Sequence, residues 1–228
     1  MSLRWWLLFL SACFHCQLLF AQLPLPVDQE HHHRVLLKND YIRVLEGLVR
    51  VRDTTPMHVH AANSVVVFLS HSSFGIQVAG EAPVVREVRP GDLRYADYGD
   101  KPVTHIVWDE GPEDFHFYVV EVAARASAGS GASIDSGGSG EDTCSMLSQP
   151  GLSRQWRRGK VTAYYWDIPP GWHCALPAGD CAFFLIDLSA VKGSGGSAFH
   201  FYPPRHALSI QGHRREDAQY ILLQLQVR

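Results

Sequence analysis

His58-Val59-His60 is the short stretch of this chain best suited to hold a metal ion. On a β-strand, positions i and i+2 project to the same face, so the two imidazoles can reach one ion. A third ligand has to come from elsewhere in the fold. His105 is the candidate, at the start of a strand-like run that follows the Pro90-Gly91-Asp92 turn. Imidazole suits a transition ion (Fe, Zn, Mn, Ni or Cu) and not Ca or Mg. Three neutral ligands leave the dipositive charge to be met by water, hydroxide or an anionic substrate, and they leave coordination positions open for oxygen chemistry or hydrolysis. A bare His-x-His also fits a solvated pair at a strand edge, so the flanking sequence has to decide.

The flanks are strands. Tyr41–Leu45, Leu48–Arg52, Val65–Leu69, Gly75–Val78, Val84–Val88, Ile106–Trp108 and Phe115–Val122 are rich in β-branched and aromatic residues. Turn signals such as Asp53-Thr54-Thr55-Pro56 and Arg89-Pro90-Gly91-Asp92 separate them. No stretch keeps a helical period over three turns. Short strands at regular spacing predict an all-β barrel or sandwich over residues 30–125. The Gly/Ser-rich segment 126–142 reads as a linker. Residues 143–228 are again strand-rich and echo the first half. Pro170-Gly171-Trp172-His173 parallels Thr55-Pro56-Met57-His58, and His206 stands where His105 does. The period is on the order of 100 residues, which points to an internal duplication. The second unit has Ala175 where a second ligand would stand, and it reads as a degenerate β domain without metal.

These features resemble the cupin superfamily. Pro56-Met57-His58-Val59-His60 with Val65-Val66-Val67-Phe68-Leu69 matches its first motif. Pro90-Gly91-Asp92, His105 and Asp109 match its second, and Asn39–Glu46 resembles the opening strand of small single-barrel cupins. The resemblance implies double-stranded β-helix (jelly-roll) barrels in a bicupin-like pair, with metal in the mouth of the first. Two features depart from the pattern. The usual Glu of the first motif falls at Ser64 or Val65, and extra residues lie between Gly91 and His105. The missing Glu implies an all-histidine site, as in some thiol- and diketone-oxidising cupin dioxygenases. If Glu121 faces solvent, His116 and Tyr118 point into the barrel, and His116 becomes a candidate acid/base or substrate-orienting group. Ser64, Val66 and Phe68 share the His60 face. Tyr95 and Tyr98 either close the mouth or are surface aromatics. The function expected is a metal-dependent dioxygenase or related oxidoreductase on a small organic substrate. The alternative is a non-catalytic module that binds a small ligand or metal.

The rest of the chain sets the context. It has 228 residues, 46% hydrophobic, with 19% charged and a formal net charge of −3. That is enough for one medium domain or two small ones, and it lacks the basic excess of a nucleic-acid binder. Residues 1–21 begin with a lone Arg4 and continue apolar to Ala21, which reads as a signal peptide of a secreted or periplasmic protein. A lipid anchor at Cys13 or a membrane-anchored N-terminus is the alternative, and no stable membrane span is expected. Among Cys144, Cys174 and Cys181, the latter two are candidates to pair, which would leave one thiol over. His31-His32-His33 reads as a solvated lead-in, because consecutive strand residues alternate faces and chelate poorly together. A homodimer through edge strands is a further expectation.

Overall fold

The computed structural model describes residues 24–123, 147, 149–191, 198–212 and 217–227. The 1–21 segment and the 126–142 linker lie outside the described residues. The first half contains β1 (Leu25–Pro26), β2 (His33–Lys38), β3 (Ile42–Val49), β4 (His58–His60) and β5 (Ser64–Phe68). It continues with β6 (Ser72–Val78), β7 (Val84–Val88), β8 (Leu93–Ala96), β9 (Val103–Asp109) and β10 (Phe115–Val122). They form two five-stranded sheets, ordered β1-β4-β9-β6-β7 and β2-β3-β10-β5-β8. The non-consecutive neighbours are those of a jelly roll, in which strands alternate between facing sheets.

The second half contains β11 (Leu152–Arg158), β12 (Val161–Ile168), β13 (His173–Leu176), β14 (Cys181–Asp187), a one-turn helix α1 (Leu188–Val191), β15 (Phe199–Tyr202), β16 (Leu208–Gln211) and β17 (Ala218–Gln226). Its large sheet, β11-β12-β17-β14-β15, repeats the second sheet of the first half. The partner sheet shrinks to the pair β13-β16.

The two large sheets pack on each other. Ile42, Val44, Val65, Val67, Tyr118 and Val120 share one buried cluster with Val161, Ala163, Ala182, Phe184, Ile221 and Leu223. The opposite faces of the same strands fill the barrels. Leu45, Val49, Phe68, Phe115, Phe117 and Val119 pack inside the first, and Tyr164, Trp166, Phe183, Leu185 and Leu222 inside the second. Strands covered on both faces read as continuous apolar runs, with no alternation to show which residues face inward. Tyr165 Oη crosses the junction and donates to the Gly91 carbonyl at 2.8 Å.

Two expectations change here. Cys174 is a free thiol buried in the second core, while Cys181 is disulfide-bonded, so the two do not pair with each other. Glu121 is buried, not solvated, and the Arg43 guanidinium directly opposite on β3 donates to it.

Candidate metal centre

The register of β4 on β9 builds the centre. His58 stands directly opposite His105, and Val59 and His60 face Thr104 and Val103. The pleat places His58, His60 and His105 on the inner face, each less than a tenth exposed. The ring of His105 has its centroid 4.6 Å from that of His58 and 4.9 Å from that of His60. His58 Nε2 and His105 Nε2 are 3.0 Å apart.

A fourth imidazole joins them from the opposite sheet. His33 opens β2 and is buried, with its ring 5.0 Å from that of His58 and 5.8 Å from that of His60. One nitrogen of each of His33, His58 and His60 lies within 4.8 Å of the other two. The sequence reading placed His31–His33 in a solvated lead-in. His31 is exposed, but His32 and His33 are not. The cause is local. A 3-10 turn at Val27–Gln29 drives Val27 into the first core and swings Glu30 inward. The chain then turns again as the His33 amide donates to the Glu30 carbonyl at 3.0 Å.

Glu30 organises this corner. Its carboxylate accepts from the His32 amide at 2.9 Å, from His32 Nδ1 at 2.5 Å and from His33 Nδ1 at 2.6 Å. Burial alone would raise its pKa, but the hydrogen bonds from His33 and His32 hold it at about 2. His32 continues the chain outward, with Nε2 3.0 Å from Asp53. Burial would lower the pKa of His32, and the bonds to Glu30 and Asp53 more than offset that, so it is raised.

The donor chemistry fits a metal. His33 gives its Nδ1 proton to Glu30, and His58 gives its own to the Pro56 carbonyl at 2.9 Å, so each presents a bare Nε2. Two bare imidazole nitrogens 3.0 Å apart, as in His58 and His105, repel unless a proton or an ion lies between them. His105 Nδ1 is buried without a partner in either case, as a bare acceptor if a proton lies there and as a stranded N–H if an ion does. An ion there takes both lone pairs. Burial pushes His58 down to about 4. Burial with the neighbouring His105 and His58 takes His60 to about 2, and burial with His58 takes His105 to about 3. The rings are therefore neutral, as ligands must be.

The cavity they face holds about 60 Å³. Ser64, Val66 and Phe68 line it as the pleat predicts, and so do Tyr98 and Arg94. Tyr95 points the other way, onto Trp156 of the second barrel. His116 is a correction. Phe115, Phe117 and Val119 are the inward residues of β10, so His116 is on the outer face, 3.1 Å from Glu46 and out of reach of the cluster. The predicted phase rested on a solvated Glu121, and Arg43 removes that premise.

The second barrel has no such set among the described residues. His173 is exposed, bonded to Ser209 and opposite Gln211, not His206. His206 is exposed in a turn, 3.1 Å from the Pro204 carbonyl. Glu30, His33 and Arg94 belong to the site but lie outside both sequence motifs. A carboxylate three residues before a buried histidine was the available signal for the first two.

The chain matches no protein-family profile, and no curated protein matches it in sequence. Solved structures are similar in fold. AerE from Microcystis aeruginosa superposes with a TM-score of 0.56 at 13% identity, covering 89% of this chain and 97% of that one. The 7S globulin of Momordica charantia gives 0.52 at 10% identity, covering 87% and 83%. A salicylate 1,2-dioxygenase from Pseudaminobacter salicylatoxidans gives 0.52 at 11% identity, covering 86% and 76%. The fold is the cupin fold, duplicated in one chain.

Proposed function

We propose that the first barrel holds a transition-metal ion on His33, His58, His60 and His105 and serves to oxidise a small organic substrate with dioxygen. The observation that carries the reading is the convergence of four buried imidazoles, from two facing sheets, on one largely apolar cavity. His33 takes the place of the carboxylate that the first motif lacks. When bound, the ion supplies Lewis-acid and redox chemistry at an all-nitrogen site. The protein does the rest. Glu30 and the Pro56 carbonyl fix the tautomers of His33 and His58. Phe68, Phe74, Phe115 and Phe117 keep bulk water from the cavity and give an apolar substrate a surface to pack on. The salicylate dioxygenase supports the reading as an enzyme of the same fold; since unrelated chemistries share this fold, the likeness adds little beyond that.

We read residues 1–21 as a secretory signal, and the disulfide at Cys181 is in keeping with an oxidising compartment. Among the described residues no helix is long and apolar enough to cross a membrane.

The test is elemental analysis of the full chain after equilibration with Fe, Mn, Ni, Cu and Zn, followed by oxygen-uptake assays. One ion per chain is expected, lost on His58→Ala, with oxygen uptake that depends on substrate. A folded chain that retains none of the five metals would remove the reading. Metal bound tightly without turnover of any small organic acid, thiol or diketone would favour the binding-module alternative.

A further inference from the structure

The wall of the metal cavity carries one guanidinium. Arg94 stands on β8 opposite Val66 of β5. Alternation turns it inward with Ala96 and Tyr98, while Leu93 and Tyr95 pack toward the second barrel. Its guanidinium makes no hydrogen bond or ion pair among the described residues. Among the described residues no carboxylate lines the cavity. Glu30 is held by His32 and His33, and Glu121 by Arg43. Ser64 Oγ also lines the cavity, is buried, and has no partner. Most of the remaining lining is hydrocarbon and aromatic ring.

The charge balance is one-sided. Neutral imidazoles with a dipositive ion, plus the half-buried Arg94, outweigh the single negative charge of Glu30 beside His33 and leave the cavity net positive. Such a space favours an anion over a neutral occupant. A carboxylate matches the planar fork of a guanidinium with two parallel hydrogen bonds, which a point cation would not reproduce. An apolar body matches the rest of the wall.

We propose that Arg94 is the specificity-determining residue of this cavity and that the substrate is a small monocarboxylate with an apolar body, its carboxylate paired to the guanidinium; this rests on the metal-dependent function above. The placement also gives a route. Phe68, Phe74 and Arg94 line, on their other side, a groove of about 600 Å³ between the barrels, together with Trp156 and Tyr165. That groove carries both signs of charge, with Arg86, Glu87 and Asp92, so discrimination by charge falls to Arg94 at the inner end.

The test titrates metal-loaded full-length protein by calorimetry with acetate and propionate, small enough for a cavity of about 60 Å³, and with acetamide and propionamide as uncharged isosteres. The acids are expected to bind about ten- to a hundredfold more tightly than the amides. Arg94→Gln should remove that preference while leaving amide affinity and metal stoichiometry as they were, and Arg94→Lys should restore part of it. Equal affinity for acid and amide in the unaltered protein, acids that bind Arg94→Gln as well as before, or no binding of either acid overturns the proposal. Should the variants fail to fold, the same titration of metal-free protein decides, since an acid preference that vanishes without metal belongs to the ion and overturns the proposal. Metal content is read separately. A chain that takes up no metal yet keeps the acid preference overturns the metal-dependent function and leaves the role of Arg94 standing.

Discussion

Glu30 decides whether His33 can serve as a ligand. It is buried, and its two oxygens accept three hydrogen bonds from His32 and His33. Glu30→Gln keeps the shape but removes the charge and offers an amide N–H to a ring nitrogen that already donates. Metal affinity should fall about ten- to a hundredfold, the usual effect of losing an outer-shell partner, with His58, His60 and His105 unaltered. A competition titration with a chelator measures it, and unchanged affinity would place His33 outside the ligand set. Acidification gives a second prediction. His58, His60 and His105 have folded pKa values of about 4, 2 and 3, against 6.5 for an ordinary histidine. Below pH 6.5 the unfolded chain therefore binds protons that the folded chain refuses, and stability falls as pH drops toward 4. Glu30, held at about 2 against 4.5, adds to the loss below pH 4.5. His32 has the opposite sign. Its pKa is raised, so its contribution is full below 6.5 and fades as pH rises through the folded value. Thermal melts of metal-free protein from pH 7.5 to 4 should show a falling Tm; a flat profile would contradict burial of the three rings. At this scale His58, His60 and His105 were legible, because period two and a known motif place them. His33 was not, since its burial depends on the turn at Val27–Gln29 and on a carboxylate partner, neither of which periodicity records.

Gly47 shows how the elements hold the centre. It sits on β3 between His33 of β2 and Phe117 of β10. A Cβ there would lie 2.2 Å from the Phe117 ring, whose centroid is 5.6 Å from that of His33. Gly47→Ala must push Phe117 toward the cavity, because the strand's backbone pairs on both sides. Overpacking of this kind costs about 1–3 kcal/mol, and metal affinity should drop with it. Denaturant melts and a metal titration on the same sample check both; a variant of unaltered stability would mean that Phe117 has room to move. His116, one residue earlier on β10, is the internal control. It faces outward to Glu46, so His116→Ala should leave metal stoichiometry and affinity unchanged. The strands themselves were readable from β-branched and aromatic runs between turn signals. The phase of β10 was not, because Phe115, Phe117 and Val119 fill one barrel face while Tyr118 and Val120 fill the junction. With both faces apolar, Glu121 is the one residue that breaks the tie in the sequence, and its buried pairing with Arg43 reverses the answer.

At the scale of the whole molecule, the second barrel has a structural task that its lost histidines do not touch. The duplication was visible as an echo, and the degenerate half as missing ligands. What the echo could not show is that the two large sheets share one core, since that depends on contacts between strands far apart in sequence. Phe184 lies fully buried in that core, its ring 5.1 Å from Phe199, which in turn packs on Tyr118 of the first barrel. Phe184→Ala should cost about 3–5 kcal/mol, the usual range for a buried aromatic. Because the strands that position the histidines line the same core, the loss should reach the first barrel as well. The unaltered chain should therefore melt in one transition that metal shifts upward as a whole. In Phe184→Ala that single transition should move down, still responding to metal. Calorimetric scans with and without metal distinguish the cases. Two transitions, of which metal moves only one, would mean that the barrels fold independently and that the junction is a contact without coupling. A single transition would assign the second barrel its role: it covers the apolar outer face of β3, β5 and β10, whose inner face lines the histidine cavity.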